Sequence, residues 1–547
     1  MSQEAVEALS RTNFTHWDWG IVAVYLLISV IIGITVKKYA TGMTNYIGAG
    51  RSVGTWLGVA TMTGTELGLV TVMFSAEKGY KGGFAAFHIA ILAGLVTLIV
   101  GVTGFIVAAL RRYEVLTIPE FYERRFGRKT RILGGIMLAF AGILNMGLFL
   151  QVGSKFIVGI TGLSQDAGVV LPIVMTTLLV LVLIYTVLGG MISVIITDYV
   201  QFVVLSMGLV ITTILAINHL GWENIFATIE SRMGAKGFDP LAADSQFGVE
   251  YVIWMAMLGL VGCAVWPTSV ARALAMESPQ AVKRQYMWSS ISFTIRFLIP
   301  YFWGICAYVF IVTKAPDLEA LIPVDPSDFD AFGKPGGKPV GILYAMPIFL
   351  GRILPAGMIG VISAAMIAAF MSTHDSYLLC WSSVITQDVV APLRRNGLSA
   401  KSRVALTRGL IVAIGAYIWI WGMFYEGGDD IWDYMAITGA IYFTSAFALL
   451  VGGLYWKRAS STGAFCALLA GFTAVLGLAP LRIALGKWII NILGFEGTDE
   501  AAAALLTSPR VGLTSVVLTL IVFVVASLLF PDRRWVETDK PGKDPNS

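Results

Sequence analysis

The chain has 547 residues, of which 57% are hydrophobic and only 13% charged, with a formal net charge of +4. Soluble globular proteins carry about 25% charged residues, so a soluble multidomain enzyme is excluded. A mean hydropathy of +0.78 and 58 glycines fit a bundle of apolar helices that pack closely or break locally in a bilayer.

The first sixteen residues are polar and the apolar run after them is long enough to span, so no cleavable signal peptide is expected. About thirteen runs of spanning length follow, at roughly 20 apolar residues per crossing. In chain order they cover 18–37, 54–77, 83–110, 131–160, 166–188, 190–218 and 248–273. Then come 283–313, 354–390, 404–425, 432–456, 460–484 and 511–530. The expected fold class is an all-α membrane protein. Residues 1–53 are expected to form an external N-terminus, an extra helix and the first cytoplasmic loop. Five helices follow in 54–218, an external loop in 219–247, and five more helices in 248–456 with an external loop near 314–340. Two C-terminal helices at 457–530 and a cytoplasmic tail at 531–547 complete the chain.

Basic clusters orient these runs. Lys37/Lys38, Arg111/Arg112, Arg124/Arg125, Arg128, Lys129, Arg131, Lys283/Arg284, Arg394/Arg395, Lys401/Arg403, Lys457/Arg458 and Arg533/Arg534 all fall on one side when thirteen spans start from an external N-terminus. Alternate loops such as Glu426-Gly427-Gly428-Asp429-Asp430 are acidic or neutral. The positive-inside rule then makes the basic side cytoplasmic, in a multi-pass protein of the cell (inner) membrane. The four cysteines, Cys263, Cys306, Cys380 and Cys466, lie in apolar segments and read as small hydrophobes, with no metal or redox spacing.

Ionisable groups inside spans are costly and are functional hypotheses by default. Three carboxylates qualify: Glu66 in Thr63-Gly64-Thr65-Glu66-Leu67-Gly68, Asp198 after Ile196-Thr197, and Asp375 in Ser372-Thr373-His374-Asp375-Ser376. Gly64 and Gly68 lower the cost of unwinding the helix around Glu66. Freed carbonyls there, with the Ser372 and Thr373 hydroxyls, supply the hard oxygens that sodium prefers. The competing interpretation is close packing by the glycines and hydroxyls bonded one turn back. Arg296 keeps its charge at ordinary pH, so it either pairs with a carboxylate or meets an anionic solute. His88 and His374 read as hydrogen-bonded core histidines before proton relays. A second breakable helix carries Gly259, Gly262 and Pro267. Interrupted helices at matching positions in two halves point to a five-plus-five inverted repeat with solute held at the midplane.

Four further motifs lie along the chain: Asn45-Tyr46 to Arg51-Ser52, Thr117-Ile118-Pro119-Glu120-Phe121 with Arg124-Arg125-Phe126, Gly189-Gly190 through Thr197-Asp198 and Gln201, and Gly453-Leu454-Tyr455-Trp456-Lys457-Arg458. In their order and spacing they resemble the solute:sodium symporter family, which includes bacterial sugar, proline and sialic acid symporters and the choline transporter. The resemblance runs from about residue 20 to 530. It implies a LeuT-type core of two inverted five-helix repeats preceded by one extra helix, and sodium (Na+) as coupling ion. It also implies a sodium site at Gly64, Leu67, Ala369, Ser372 and Thr373. A second sodium, bound in some members, would fall at Asp198, Asp375 and Ser376. Asp375 departs from the family pattern by placing a carboxylate where some members have serine, which suits either a cation or a proton.

Positions expected to face solute are Glu66, Gly68, Thr71, His88, Trp266, Arg296 and Tyr434. They leave a zwitterion, an amine, a monocarboxylate and a sugar open. The expected function is sodium-coupled import of a small organic solute by alternating access. The expected partners are that solute and the lipid bilayer, with no nucleic acid and no obligate protein partner. The alternatives are a proton-coupled symporter or a membrane sensor that signals through a separate protein. An enzyme is disfavoured because no nucleophile–base pair or metal cluster stands out.

Overall fold

The computed structural model describes residues 3–36, 49–163, 169–242, 245–325, 328–329, 338–394, 397–425, 431–494 and 497–532. The Asn45-Tyr46 motif, Lys37/Lys38, Arg395, the acidic Glu426–Asp430 loop and Arg533/Arg534 lie outside the described residues. Apolar runs become helices wherever no proline or glycine pair interrupts them. After α1 (His16–Val36), the second run is split into α2 (Thr55–Glu66) and α3 (Leu69–Gly82). Then follow α4 (Phe87–Thr103), the short α5 (Ile118–Phe126), α6 (Arg128–Asn145), α7 (Phe149–Thr161) and α8 (Val170–Leu220). The segment 219–247 carries α9 (Trp222–Met233), and the next run is again split, into α10 (Gly248–Ala264) and α11 (Pro267–Ala275). The remainder are α12 (Pro279–Lys314), α13 (Ala345–Ile353), α14 (Met358–Val384), α15 (Ala400–Phe424), α16 (Ile431–Tyr455), α17 (Ser461–Gly471), α18 (Ala479–Ile492) and α19 (Ser508–Leu529).

Among the described residues, nine helical stretches are long and apolar enough to cross a membrane, and a tenth is bent by 89°. Three departures from the hydropathy pattern have physical causes. The runs 166–188 and 190–218 merge in α8, because Gly189-Gly190 weakens a helix by only about 1 kcal/mol per glycine and no proline stops it. The run 460–484 is the bent one: Gly477 closes a 3₁₀ turn, Leu478 is extended, and Pro480 opens α18 in a new direction. The segment 219–247, expected as a connector, holds α9, and α13 lies between the loop expected near 314–340 and the run 354–390. Lipid-facing surfaces are apolar, as on α4, where Ile91, Leu95, Leu98, Ile99 and Val102 are exposed.

Helix ends follow local chemistry. Thr117 caps α5 by accepting from Glu120 N at 3.2 Å, and Glu120 Oε2 accepts from Leu116 N at 2.8 Å. Ser278 caps α12 ahead of Pro279, accepting from Ala281 N at 3.1 Å. Small residues set a close crossing in the core, between α3 and α12. A Cβ on Gly79 would stand 2.1 Å from Tyr301 O, and one on Gly304 would stand 1.9 Å from Ala76 O. The two backbones therefore touch, which fixes where α3 leaves the helix break and enters the bundle.

Candidate functional site

Both helix breaks occur inside the bundle. Leu67 (φ −92°, ψ 65°) and Gly68 (ψ 161°) separate α2 from α3. Val265 and the extended Trp266 separate α10 from α11, with Pro267 in the first turn of α11. Between the breaks lies a cavity with about 1000 Å³ of empty space, part of it continuous with solvent. Glu66, Thr71, Trp266 and Arg296 line it, as the sequence suggested, together with Asn145 and Trp432. Gly68, His88 and Tyr434 are not among its lining residues. Gly68 packs against Thr373, where a Cβ would stand 2.0 Å from Thr373 Oγ1. His88 keeps its Nδ1 2.6 Å from Ala85 O, with its ring against Phe247. The Tyr434 hydroxyl donates to Leu144 O at 2.6 Å.

Glu66 ends α2 and reaches the start of α11. Its Oε1 accepts from Thr268 Oγ1 at 3.0 Å and from Ser269 Oγ at 2.7 Å, in the first turn of that helix, where the backbone dipole favours a negative charge. Its Oε2 pairs with Arg296 Nη1 at 3.1 Å. The guanidinium lies 3.8 Å from the Phe293 ring centroid and 4.6 Å from that of Phe297, so aromatic faces and one carboxylate together hold the charge at the cavity wall. Of the two roles open to Arg296, the ion pair with Glu66 is formed. Phe74 and Trp432 pack with tilted rings, centroids 4.4 Å apart, on another wall, and one turn beyond Phe74 Lys78 Nζ pairs with Asp433 Oδ2 at 3.2 Å.

The residues named for sodium converge on the first break. Ser372 Oγ lies 3.4 Å from Gly64 O and donates to Asp198 Oδ1 in a short contact. Thr373 Oγ1 donates back to Ala369 O at 3.0 Å and abuts Gly68. Leu67 leaves the helical conformation at the break, with its N–H on Thr63 O at 2.8 Å, and Gly68 after it is extended. Donating to Asp198 turns the lone pairs of Ser372 Oγ outward, where a cation can use them.

Asp198 is fully buried, and its Oδ2 accepts from Thr61 Oγ1 at 2.7 Å and Thr65 Oγ1 at 3.1 Å. Arg272 Nη2 stands 3.5 Å from that same oxygen and donates to Ser376 Oγ at 2.6 Å, while Ser376 Oγ donates to Asp375 Oδ1 at 3.1 Å. The sequence expectation for a second sodium at Asp198, Asp375 and Ser376 thus meets a guanidinium among those residues.

Sequence reasoning missed Arg272, Thr268, Ser269, Thr61 and Thr65. The rule that flagged Arg296 applies equally to Arg272, but the expected span 248–273 placed it at a boundary. The break at Trp266 carries it into the core instead.

Two interrupted helices around a central cavity, within a multi-pass helical bundle, define a membrane transporter of the LeuT fold. The model of the sodium:solute symporter family matches residues 46–471, and the chain belongs to that family. It is 23% identical to the sodium/glucose cotransporter of Vibrio parahaemolyticus over 517 residues, 90% of each chain. It is 25% identical to the sodium/proline symporter of Staphylococcus aureus over 562 residues, 97% of each. The structure of a substrate-bound, outward-open Na+-coupled sialic acid symporter superposes with a TM-score of 0.70 at 19% identity, covering 94% of this chain and 98% of that one. MhsT in complex with L-phenylalanine gives 0.52 at 15% identity, covering 87% of this chain and 99% of that one. The chain is therefore a sodium-coupled solute symporter, with sodium as its coupling ion.

Proposed function

We propose that this symporter imports a small organic solute held in the cavity between the two helix breaks, with Glu66, Thr71, Trp266 and Arg296 as contacts. The observation that carries this reading is the Glu66–Arg296 pair at the wall of the cavity, beside the break that adjoins Ser372 and Thr373. A carboxylate and a guanidinium side by side offer an acceptor edge and a donor edge to one neutral or zwitterionic molecule. The aromatic walls lower the local polarity and so strengthen both contacts. Glucose, proline and sialic acid, named for the relatives, set the size range of the solutes to test.

Sodium binds first, to the carbonyls of Gly64, Leu67 and Ala369 and the hydroxyls of Ser372 and Thr373, tying α2 to α14. It favours the outward-open state by as much as it binds that state more tightly. Solute then completes the cavity wall, the bundle rocks, and sodium leaves into the low-sodium cytoplasm. Each sodium moved down 100 mV contributes about 2.3 kcal/mol. The two repeats are assigned to 54–218 and 248–456, with α8 covering both the fourth and fifth helices expected of the first. They lie in the cell (inner) membrane with the N-terminus outside and the C-terminus cytoplasmic, as the basic loops favour. The chain acts as a carrier and not as an enzyme, in line with a family and relatives named for transport.

The test is uptake into proteoliposomes under an imposed sodium gradient, from a panel of sugars, monocarboxylates, amino acids and choline-like amines. One class should accumulate with sodium and not with potassium. The double variant Ser372→Ala/Thr373→Ala should lose that dependence. Sodium dependence unchanged in the double variant would contradict the site.

A further inference from the structure

The cluster around Asp198 has the residues of a second cation site, but the protein itself supplies a cation there. Arg272 Nη2 lies 3.5 Å from Asp198 Oδ2 and donates to Ser376 Oγ at 2.6 Å. Both Asp198 and Arg272 are sealed from solvent, in a region of fully buried side chains that includes Ser372 and Asp375. We infer that Arg272 is a tethered cation occupying the position that a second sodium would take, so that the carrier binds one sodium per chain. The inference rests on the sodium site proposed at Gly64 and Ser372.

Counting lone pairs supports it. A carboxylate offers about four acceptor sites. Asp198 uses one on Oδ1 for Ser372 and two on Oδ2 for Thr61 and Thr65, and the guanidinium stands 3.5 Å from Oδ2. The Ser376 hydroxyl accepts from Arg272 and sends its proton to Asp375 Oδ1. Sodium needs oxygen lone pairs turned inward, and here three on Asp198 already hold hydroxyl protons while Ser376 Oγ holds a guanidinium proton. A second positive charge would also stand beside a guanidinium that cannot give up its own, in surroundings with little water to screen the repulsion.

The same geometry leaves the first site intact. Ser372 donates to Asp198, so its lone pairs remain available beside Gly64 O. Arg272 therefore helps orient Ser372 indirectly, by anchoring Asp198, while barring the neighbouring position to sodium. A small second cavity lies alongside, lined by Arg272, Ser376, Thr117, Pro267 and Cys380, and gives the guanidinium's surroundings room for a substituted side chain.

The experiment counts sodium ions. Purified full-length protein in sodium-free buffer is titrated with radioactive sodium, and the bound ion per chain and the shape of the isotherm are recorded. Wild type should bind one sodium per chain in a simple hyperbola, and Ser372→Ala should lose it. Arg272→Gln, which keeps hydrogen bonding but removes the charge, should bind two with a sigmoidal isotherm. Arg272→Lys should remain at one. Two sodium ions on wild type would overturn the inference while leaving the sodium site standing, as would folded Arg272→Gln that still binds one. No saturable sodium on wild type would overturn the underlying site as well. If Arg272→Gln does not fold, the wild-type count decides alone: one supports the inference and two refutes it.

Discussion

Glu66 with Arg296 and Asp198 with Arg272 are built from the same parts, a carboxylate, a guanidinium and a few hydroxyls, and differ in their surroundings. Glu66 and Arg296 retain 14% and 9% exposure and meet directly at 3.1 Å on a cavity wall. Asp198 and Arg272 retain 0% and 1%, and stand 3.5 Å apart with hydroxyls supplying the hydrogen bonds. Removing one partner of a sealed pair strands an uncompensated charge. A pair that borders a cavity can exchange its partner for water or for a solute. The first cluster is thus suited to recognition, and the second to holding two helices and the Ser372 hydroxyl in place.

The largest expected effect breaks the sealed cluster. Asp198→Ala leaves Arg272 buried without its carboxylate and should cost about 3–5 kcal/mol, read as a large fall in melting temperature of the purified protein. The corresponding change on the open side should spare stability and strike binding. Glu66→Gln should weaken apparent solute affinity by about 10- to 100-fold, measured as the half-saturating concentration for uptake, with little change in melting temperature. If the two substitutions proved equally destabilising, the distinction between the clusters would fail.

Glycine positions sharpen the contrast between the two breaks. A Cβ on Gly68 meets Thr373 Oγ1 at 2.0 Å, whereas one on Gly262 meets nothing within 4 Å and only narrows the cavity. Gly68→Ala should therefore cost about 1–3 kcal/mol through overpacking. Gly262→Ala should stay within about 0.5 kcal/mol while changing solute preference. Melting curves and competition uptake read the two effects separately.

The smallest effect lies far from both clusters, where Arg352 pairs with Asp317 at 2.8 Å and donates to Ala8 O at 2.7 Å. Hydrogen bonding from Arg352 holds the Asp317 carboxyl below its ordinary value of 3.8. A depressed value means that this pair stabilises the fold above that ordinary value and loses its contribution as pH falls through the folded one. Asp317→Asn should cost at most about 1 kcal/mol at neutral pH, because the pair is partly exposed, and nothing in strong acid. Melting temperatures at the two pH values check the sign.

Much of this was legible in the sequence because the bilayer enforces it. Long apolar runs gave the helices, and Gly64, Gly68 and Pro267 marked the two breaks that frame the cavity. Glu66 and Arg296 stood out as charges in apolar segments, and Ser372 and Thr373 as hydroxyls on a helix that the family resemblance brought beside the first break. What hydropathy could not convey was direction after a break. Arg272 looked like the end of a span, yet the turn at Trp266 carries it inward to Asp198. Gly68, His88 and Tyr434 have suitable chemistry, but packing against Thr373, Phe247 and Trp421 keeps them off the cavity wall. The bend at Leu478 likewise depends on how Gly477 and Pro480 resolve locally, which apolar length alone does not encode.

The central claim is that sodium at the first break and solute in the cavity act as one coupled unit. The most direct measurement is the thermal stability of purified protein against the solute panel, in sodium and then in potassium. The account predicts that one solute class raises the melting temperature in sodium, fails to do so in potassium, and loses its effect in Ser372→Ala. An equal shift in potassium, or a shift untouched by Ser372→Ala, would contradict it.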